Sequence, residues 1–239
     1  MFKVYLDNNI IVDIEEGNYS VEQFLNKNDY LYYFSKAHLE ELLEAKDNPK
    51  VSQEKRLGLI AELCGKNHIL TGVVDSPEFF DKEPKEMFCI TTYSRQFFNP
   101  ANIVNQGNRS ALKVRQVLGF NAKQLNNESP DKVLSIIDTR MKESMGIGLI
   151  SYLKETEANN GSSMYHTLIQ LINIANYWGD KETYHSNVAR LYDAEHAYYA
   201  QICDMLVTND KKMRMKIRAI YSFLGINTRV ISANEFLCN

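Results

Sequence analysis

The 239-residue sequence has few cysteines, few prolines and no long apolar run. Its four cysteines form no CxxC pair, so neither a disulfide framework nor a structural zinc site is predicted. An acid, Asp7, interrupts the apolar amino-terminal residues, and no run of about 18 apolar residues follows, so we expect neither a secretory signal nor a membrane-spanning segment. These absences predict a cytoplasmic protein with reduced thiols.

Several catalytic signatures are also missing. The sequence has no Gly-rich phosphate loop, no DxDxT nucleophile motif and no Ser or Cys in a nucleophile-elbow context. Nucleotide-binding enzymes, phosphatases of that type and triad hydrolases are therefore disfavoured. The net charge of −3 means that a nucleic-acid partner would have to be held by a local basic patch.

Strand and helix patterns alternate at both ends of the chain. "FKVYLD" and "DYLYYFS" are typical of short strands, and "KAHLEELLEAKD" and "SQEKRLGLIAELCG" are typical of helices. Near the other end, a helix at about 183–202 precedes a strand that begins near Asp204, then a second helix and the strand "TRVIS". This order predicts an α/β fold with a central parallel sheet covered by helices.

The middle of the chain has a different character. Residues from about 70 to 110 contain three prolines and no sustained period, which predicts loops. Helical patterns return at Ser129, which precedes Pro130 at the first helical position. We interpret the chain as a single domain with a core of about 1–65 and 183–237 and a mostly helical insertion at about 70–182.

Two acids, Asp7 and Asp210, stand where predicted strands end. In open α/β sheets, ligands bind at the carboxyl edge of the strands, so both acids are candidates for a site. Asp210 has an alternative role as the N-cap of the helix that follows it. Asp204 lies at the start of its strand, at the opposite edge, and is excluded from the site.

Further acids belong to helices that border the same edge. Glu40 and Glu41 lie in the first two turns of the helix after the second strand, and Asp193 lies within a later helix. Acids gathered at one edge repel one another unless a divalent cation neutralises them. A donor set made of oxygen alone favours Mg²⁺ or Mn²⁺ over Zn²⁺.

The first two acidic motifs resemble those of the PIN domain nucleases. "YLDNN" resembles the Asp-x-Asn motif at the end of the family's first strand and matches Asp7 and Asn9. "FSKAHLEELLEA" is similar to the second motif, a Ser followed six residues later by the acid of a Glu-Leu pair. That spacing selects Glu41 over Glu40.

The later motifs continue the resemblance. "YDAEHAYYAQICDMLVTND" is similar to a helical Asp, an apolar strand and a Thr-x-Asp motif, and it matches Asp193, Thr208 and Asp210. The resemblance covers residues 1 to about 65 and 183 to 237. The span between Glu41 and Asp193 is far longer than in minimal members of the family.

The resemblance implies an α/β/α sandwich and metal-dependent hydrolysis of phosphodiesters, most often in RNA. It implies Mg²⁺ or Mn²⁺ as the cofactor, and a catalytic, metal-holding set of four acids: Asp7, Glu41, Asp193 and Asp210. Asn9 and Thr208 would orient these ligands or metal-bound waters. The alternative for Asn9 and Thr208 is ordinary turn chemistry at strand ends.

Basic residues follow Asp210 directly. In "KKMRMKIR", Lys211, Arg214 and Arg218 fall on one flank of a helix, where they can hold phosphates of a nucleic acid. The alternative is a solvated helix face.

Two rivals to a nuclease stay open. One is a non-catalytic PIN-like module that binds RNA or a protein, and the other is a different metal-dependent phosphoryl hydrolase. The sequence neither predicts nor excludes a protein partner or inhibitor, and no membrane partner is expected.

Overall fold

The protein is described by a computed structural model that covers residues 1–45, 52–72, 75–95, 118–120, 122–156, 158, 161–180 and 183–238. Contacts divide the chain into two compact units. The sheet unit comprises Met1–Asn99, Tyr199–Lys211 and Thr228–Asn239, and the helical unit comprises Pro100–Tyr198 and Lys212–Asn227. The division into a core and a single insertion stays a prediction.

The described part of the sheet unit contains a six-stranded sheet. Its strands are β1 Phe2–Leu6, β2 Tyr30–Ser35, β3 Asn67–Thr71, β4 Pro77–Asp81, β5 Met205–Val207 and β6 Arg229–Ile231. Their order across the sheet is β4-β3-β2-β1-β5-β6. All neighbours are parallel except β3 and β4, which are antiparallel. The predicted α/β fold is therefore confirmed, with a mixed and mostly parallel sheet flanked by helices.

Helices account for most of the other described residues. They are α1 Asn8–Glu15, α2 Val21–Leu25, α3 Lys36–Glu44, α4 Gln53–Cys64, α5 Pro84–Arg95, α6 Ala122–Leu125, α7 Pro130–Met145, α8 Leu149–Glu155, α9 Gly161–Ile174, α10 Tyr184–Ala200, α11 Lys211–Leu224 and α12 Ala233–Cys238. None of the helices in the described ranges is long and apolar enough to cross a membrane.

The register of β1 and β5 places their carboxyl ends side by side. Leu6 is the partner of Val207, and the ladder continues because the amide of Asp7 donates to the carbonyl oxygen of Val207 at 2.9 Å. The amide of Thr208 donates in turn to Ile231 of β6 at 2.9 Å. The residues that follow these strands are therefore held at one edge of the sheet.

An apolar core covers one face of this sheet. Alternate residues of a strand point to the same face, so Val4 and Leu6 of β1 share a face and Met205 and Val207 of β5 share a face. They pack in one buried cluster with residues of the flanking helices, including Ile10, Ile11, Phe24, Leu39, Ile60 and Phe236. This cluster explains why the short apolar runs form strands.

The prediction of loops from residue 70 onward was wrong for the described residues up to 95. The strands β3 and β4 and the helix α5 occupy this segment. β4 is an edge strand that is largely exposed, so its sequence shows no alternation of apolar and polar residues. Pro77 and Pro84 are the first residues of β4 and α5, where proline is tolerated. Residues 96–110 of the same prediction lie outside the described residues.

The helical unit, taken by itself, confirms the predicted start of α7. Ser129 is the N-cap of α7 and Pro130 is its first residue. α9 ends at Ile174, two residues before Asn176, which adopts the left-handed conformation that is common after the ends of helices, with a φ of 63°. The buried residues of the unit include Val133, Ile137, Leu149, Leu153, Leu168 and Ile172.

Candidate metal centre

The carboxylate of Asp7 is the centre of a polar network at the end of β1. Asp7 is 4% exposed, and its Oδ1 accepts a hydrogen bond from the amide of Asn8 at 2.8 Å, which caps α1. Its Oδ2 accepts from Thr208 Oγ1 at 2.7 Å and from Asn9 Nδ2. An ionised carboxylate accepts all three hydrogen bonds, because it has two oxygens and no proton to donate.

Thr208 extends this network across the sheet to the end of β5. It is fully buried, and its Oγ1 accepts from Asn9 Nδ2 at 2.8 Å and from the amide of Asp210 at 3.2 Å. Asn9 Oδ1 accepts from the amide of Asn209 at 3.1 Å. The structure therefore brings Asp7, Asn9, Thr208 and the backbone of Asp210 together, and the side chain of Asp210 is exposed.

Asn209, which the sequence analysis missed, connects this edge to two helices. Its Nδ2 donates to Asp13 Oδ2 of α1 at 2.7 Å, and its Oδ1 accepts from the amide of Ala233 at 3.1 Å, at the start of α12. The only signal in the sequence is an Asn two residues after the end of a strand, a position where Asn is common in turns.

Glu41 approaches the same edge from α3. Its carboxylate accepts a hydrogen bond from Asn8 Nδ2. The adjacent Glu40 instead forms an ion pair with Lys36 at 2.8 Å, one turn earlier on the helix. Glu41, rather than Glu40, thus contacts the residues that follow β1.

His38 anchors the start of α3 to β1. Its Nδ1 accepts from the amide of Ser35 at 3.1 Å, so the proton of the neutral ring is on Nε2, which donates to the carbonyl oxygen of Leu6 at 2.6 Å. Ser35 and His38 have the spacing of a capping box, with His in place of the usual Glu or Gln. That spacing is the signal that the sequence analysis did not use.

A buried phenol, Tyr5, lies within electrostatic range of both Asp7 and Glu41. Its hydroxyl is 2.6 Å from Ser35 Oγ. Burial raises the pKa of Tyr5 well above its usual range, and the charges of Asp7 and Glu41 act in the same direction. Tyr5 is therefore neutral.

The donors at this edge can be tested against the predicted cation. Among the described residues of each unit, no group of three or more His, Cys, Asp or Glu side chains could hold a metal ion. The edge does offer two carboxylates, Asp7 and Glu41, and between them Asn8, whose Oδ1 has no hydrogen-bond partner among the described residues. Mg²⁺ binds proteins through one or two carboxylates, with waters and phosphates as the other ligands. The residues therefore fit Mg²⁺ or Mn²⁺.

The remaining predicted residues belong to α10 and α11. Asp193 is half-buried in α10, within the helical unit, and its part in a metal centre stays a prediction. On α11, Lys211 is exposed, and Arg214 and Arg218 are half-buried. Their contact with a nucleic acid also stays a prediction.

Comparison of the chain with protein-family models, with curated proteins and with solved structures gives no match. The resemblance to PIN domain nucleases therefore depends on the sequence motifs alone. The chain is an α/β protein with a mixed, mostly parallel six-stranded sheet in its described residues.

Proposed function

We propose that this protein is a PIN-like nuclease that uses Mg²⁺ or Mn²⁺ to cleave RNA internally. One observation carries the proposal. The residues that follow two adjacent parallel strands form a single polar network around Asp7, and Glu41 joins it through Asn8. This is the edge at which open α/β sheets bind ligands.

Each residue of the network has a role in this proposal. Asp7 and Glu41 hold the cation, and Asp210 follows β5 at the same edge. The motif resemblance alone assigns Asp193 to the acidic set. Thr208 and Asn9 orient the carboxylate of Asp7 through their hydrogen bonds to its Oδ2. A bound divalent cation supplies a water of lowered pKa and neutralises charge on the phosphate.

RNA is the proposed substrate because the motifs resemble a family that acts most often on RNA. The basic flank of α11, formed by Lys211, Arg214 and Arg218, starts directly after Asp210. Positive charges there would contact the phosphate backbone, and binding by such contacts weakens as salt increases.

Two matched substitutions at opposite ends of the strands test the proposal. Asp7→Asn should abolish Mn²⁺-dependent cleavage of single-stranded RNA, because it removes the charge at the centre of the network. Asp204→Asn should largely preserve cleavage, because Asp204 precedes β5 and accepts from the amide of Lys3 at 2.7 Å, at the opposite edge. The measurement is cleavage of labelled RNA and DNA with Mn²⁺ and with EDTA.

Three results would contradict the proposed metal-dependent nuclease. They are cleavage that persists in EDTA, equal loss of activity in the two variants when both are folded, and RNA binding without cleavage. The last result would favour a non-catalytic RNA-binding module.

A further inference from the structure

Asn8 is a buried polar residue at the candidate metal centre. It is the first residue of α1, it lies between the Asp and the Asn of the Asp-x-Asn motif, and it is 8% exposed. Its Nδ2 donates to Glu41, but its Oδ1 has no hydrogen-bond partner among the described residues. Most buried acceptors in proteins are paired, so this oxygen calls for an explanation.

The orientation of the Asn8 amide follows from its neighbour. The opposite orientation would place the carbonyl oxygen against the carboxylate of Glu41, which is repulsive, because both groups only accept hydrogen bonds. Nδ2 therefore faces Glu41, and Oδ1, which is attached to the same carbon, lies beside that carboxylate. The backbone amide of Asn8 donates to Asp7 at 2.8 Å, so the residue is bonded to both acids.

The chemistry of this position selects a cation. An amide oxygen cannot donate a hydrogen bond, and the two nearby carboxylates repel anions such as phosphate. Amide oxygens are common ligands of hard cations in proteins. We infer that Asn8 is a further residue of the metal centre, in which Oδ1 binds the divalent cation and Nδ2 holds Glu41 in place. This inference rests on the cation site of the proposed function.

Calorimetric titration of metal-free protein with MnCl₂ tests the role of Asn8. Asn8→Ala should raise the Kd by about tenfold or more, the range expected when a group that binds or orients a metal ligand is lost. Asn18→Ala is the matched control, because Asn18 Nδ2 also donates to a carboxylate, that of Asp13, at 3.0 Å, and the residue is exposed. The control should bind Mn²⁺ as the unmodified protein does.

A second variant distinguishes binding of the cation by Asn8 Oδ1 from a role of Asn8 that is limited to holding Glu41. The same variant tests the inference if Asn8→Ala does not fold. Asn8→Asp keeps an oxygen at the position of Oδ1 but loses the donor to Glu41. If that oxygen binds the cation, Asn8→Asp should bind Mn²⁺ at least as tightly as the unmodified protein and melt at a lower temperature in EDTA, because three acids then repel one another. Weaker binding by Asn8→Asp would overturn the inference.

The titrations distinguish this inference from the proposed function. If the unmodified protein does not bind Mn²⁺, the proposed metal centre is wrong and the inference about Asn8 falls with it. If the unmodified protein binds Mn²⁺ and Asn8→Ala binds it equally well, only the inference about Asn8 is wrong.

Discussion

Two adjacent acids on α3 differ in the partners that they contact. Glu40 is 8% exposed and forms an ion pair with Lys36, whereas Glu41 accepts a hydrogen bond from Asn8. Consecutive residues of a helix point in directions about 100° apart, so the two acids face different surroundings. Of these two acids, Glu41 contacts the residue that follows Asp7.

This difference predicts the outcome of two isosteric substitutions. Glu41→Gln should lower Mn²⁺-dependent cleavage by about tenfold or more, because it removes a charge that holds the cation. Glu40→Gln should retain most of the activity, and its melting temperature should still rise with Mn²⁺ as that of the unmodified protein does. The reverse order of activities would show that Glu40 is the acid of the site.

At the scale of single residues, the sequence identified the side chains that follow strands, but it did not predict the hydrogen bonds that join them to other elements. Asp7, Asn9, Thr208 and Asp210 follow from strand ends and motif spacing. The role of Asn8 depends on a bond to Glu41, 33 positions away, and no local pattern encodes such a bond. The catalytic roles themselves stay predictions.

At the scale of elements, one imidazole contributes two hydrogen bonds to the junction between α3 and β1. His38 is 1% exposed and hydrogen-bonds both the amide of Ser35 and the carbonyl oxygen of Leu6. It therefore sets the position of the helix that carries Glu41.

Removal of this imidazole should destabilise the fold. His38→Ala should lower the free energy of unfolding by about 2–6 kcal/mol, because two buried backbone groups lose their partner at roughly 1–3 kcal/mol each. His38→Gln should cost less, since Gln can accept from the Ser35 amide as in a normal capping box. Urea unfolding followed by circular dichroism measures the difference.

The exposed His185 provides the control for this prediction. His185→Ala should change the free energy of unfolding by no more than about 0.5 kcal/mol. If His38→Ala is as mild as His185→Ala, then His38 does not anchor α3 to β1.

Elements with a clear local pattern were predictable, and those defined by their partners were not. β2 is a short apolar run and α4 follows a Ser cap, and both were predicted close to their observed bounds. The start of α7 was predicted from Ser129 and Pro130. β3 and β4 were missed because pairing with neighbouring strands, rather than alternation of polar and apolar residues, makes them strands.

At the scale of the whole molecule, a second buried histidine links stability to pH. His68 of β3 is fully buried against the ring of Phe34, with the ring centroids 4.4 Å apart. Neither ring nitrogen has a hydrogen-bond partner among the described residues. Burial, with a smaller effect of Lys82, lowers the pKa of His68 to about 4.

The sign of this pH dependence follows from the lowered pKa. The imidazole is neutral in both states above about pH 6.5, but below that value the unfolded chain binds a proton that the folded protein does not. The contribution of His68 to stability is thus intact above about pH 6.5 and is lost as the pH falls towards about 4.

His68→Leu should remove this dependence. At about pH 7 the variant should have nearly the same free energy of unfolding as the unmodified protein, and at about pH 4.5 it should be more stable by about 2–3 kcal/mol. Urea unfolding at the two pH values gives the comparison. An equal difference between the two proteins at both pH values would contradict the buried, neutral state of His68.

The sequence by itself determined the alternation of strands and helices and the positions of Asp7 and Asp210 at strand ends, because apolar periods and capping residues act within one element. Only the tertiary structure decided that β1 lies beside β5, which brings Thr208 within 2.7 Å of an acid 201 positions earlier. It also decided that Glu41 contacts Asn8 and that one amide oxygen is left without a described partner. These contacts join residues far apart in the chain, so they arise from the packing of elements rather than from any local pattern.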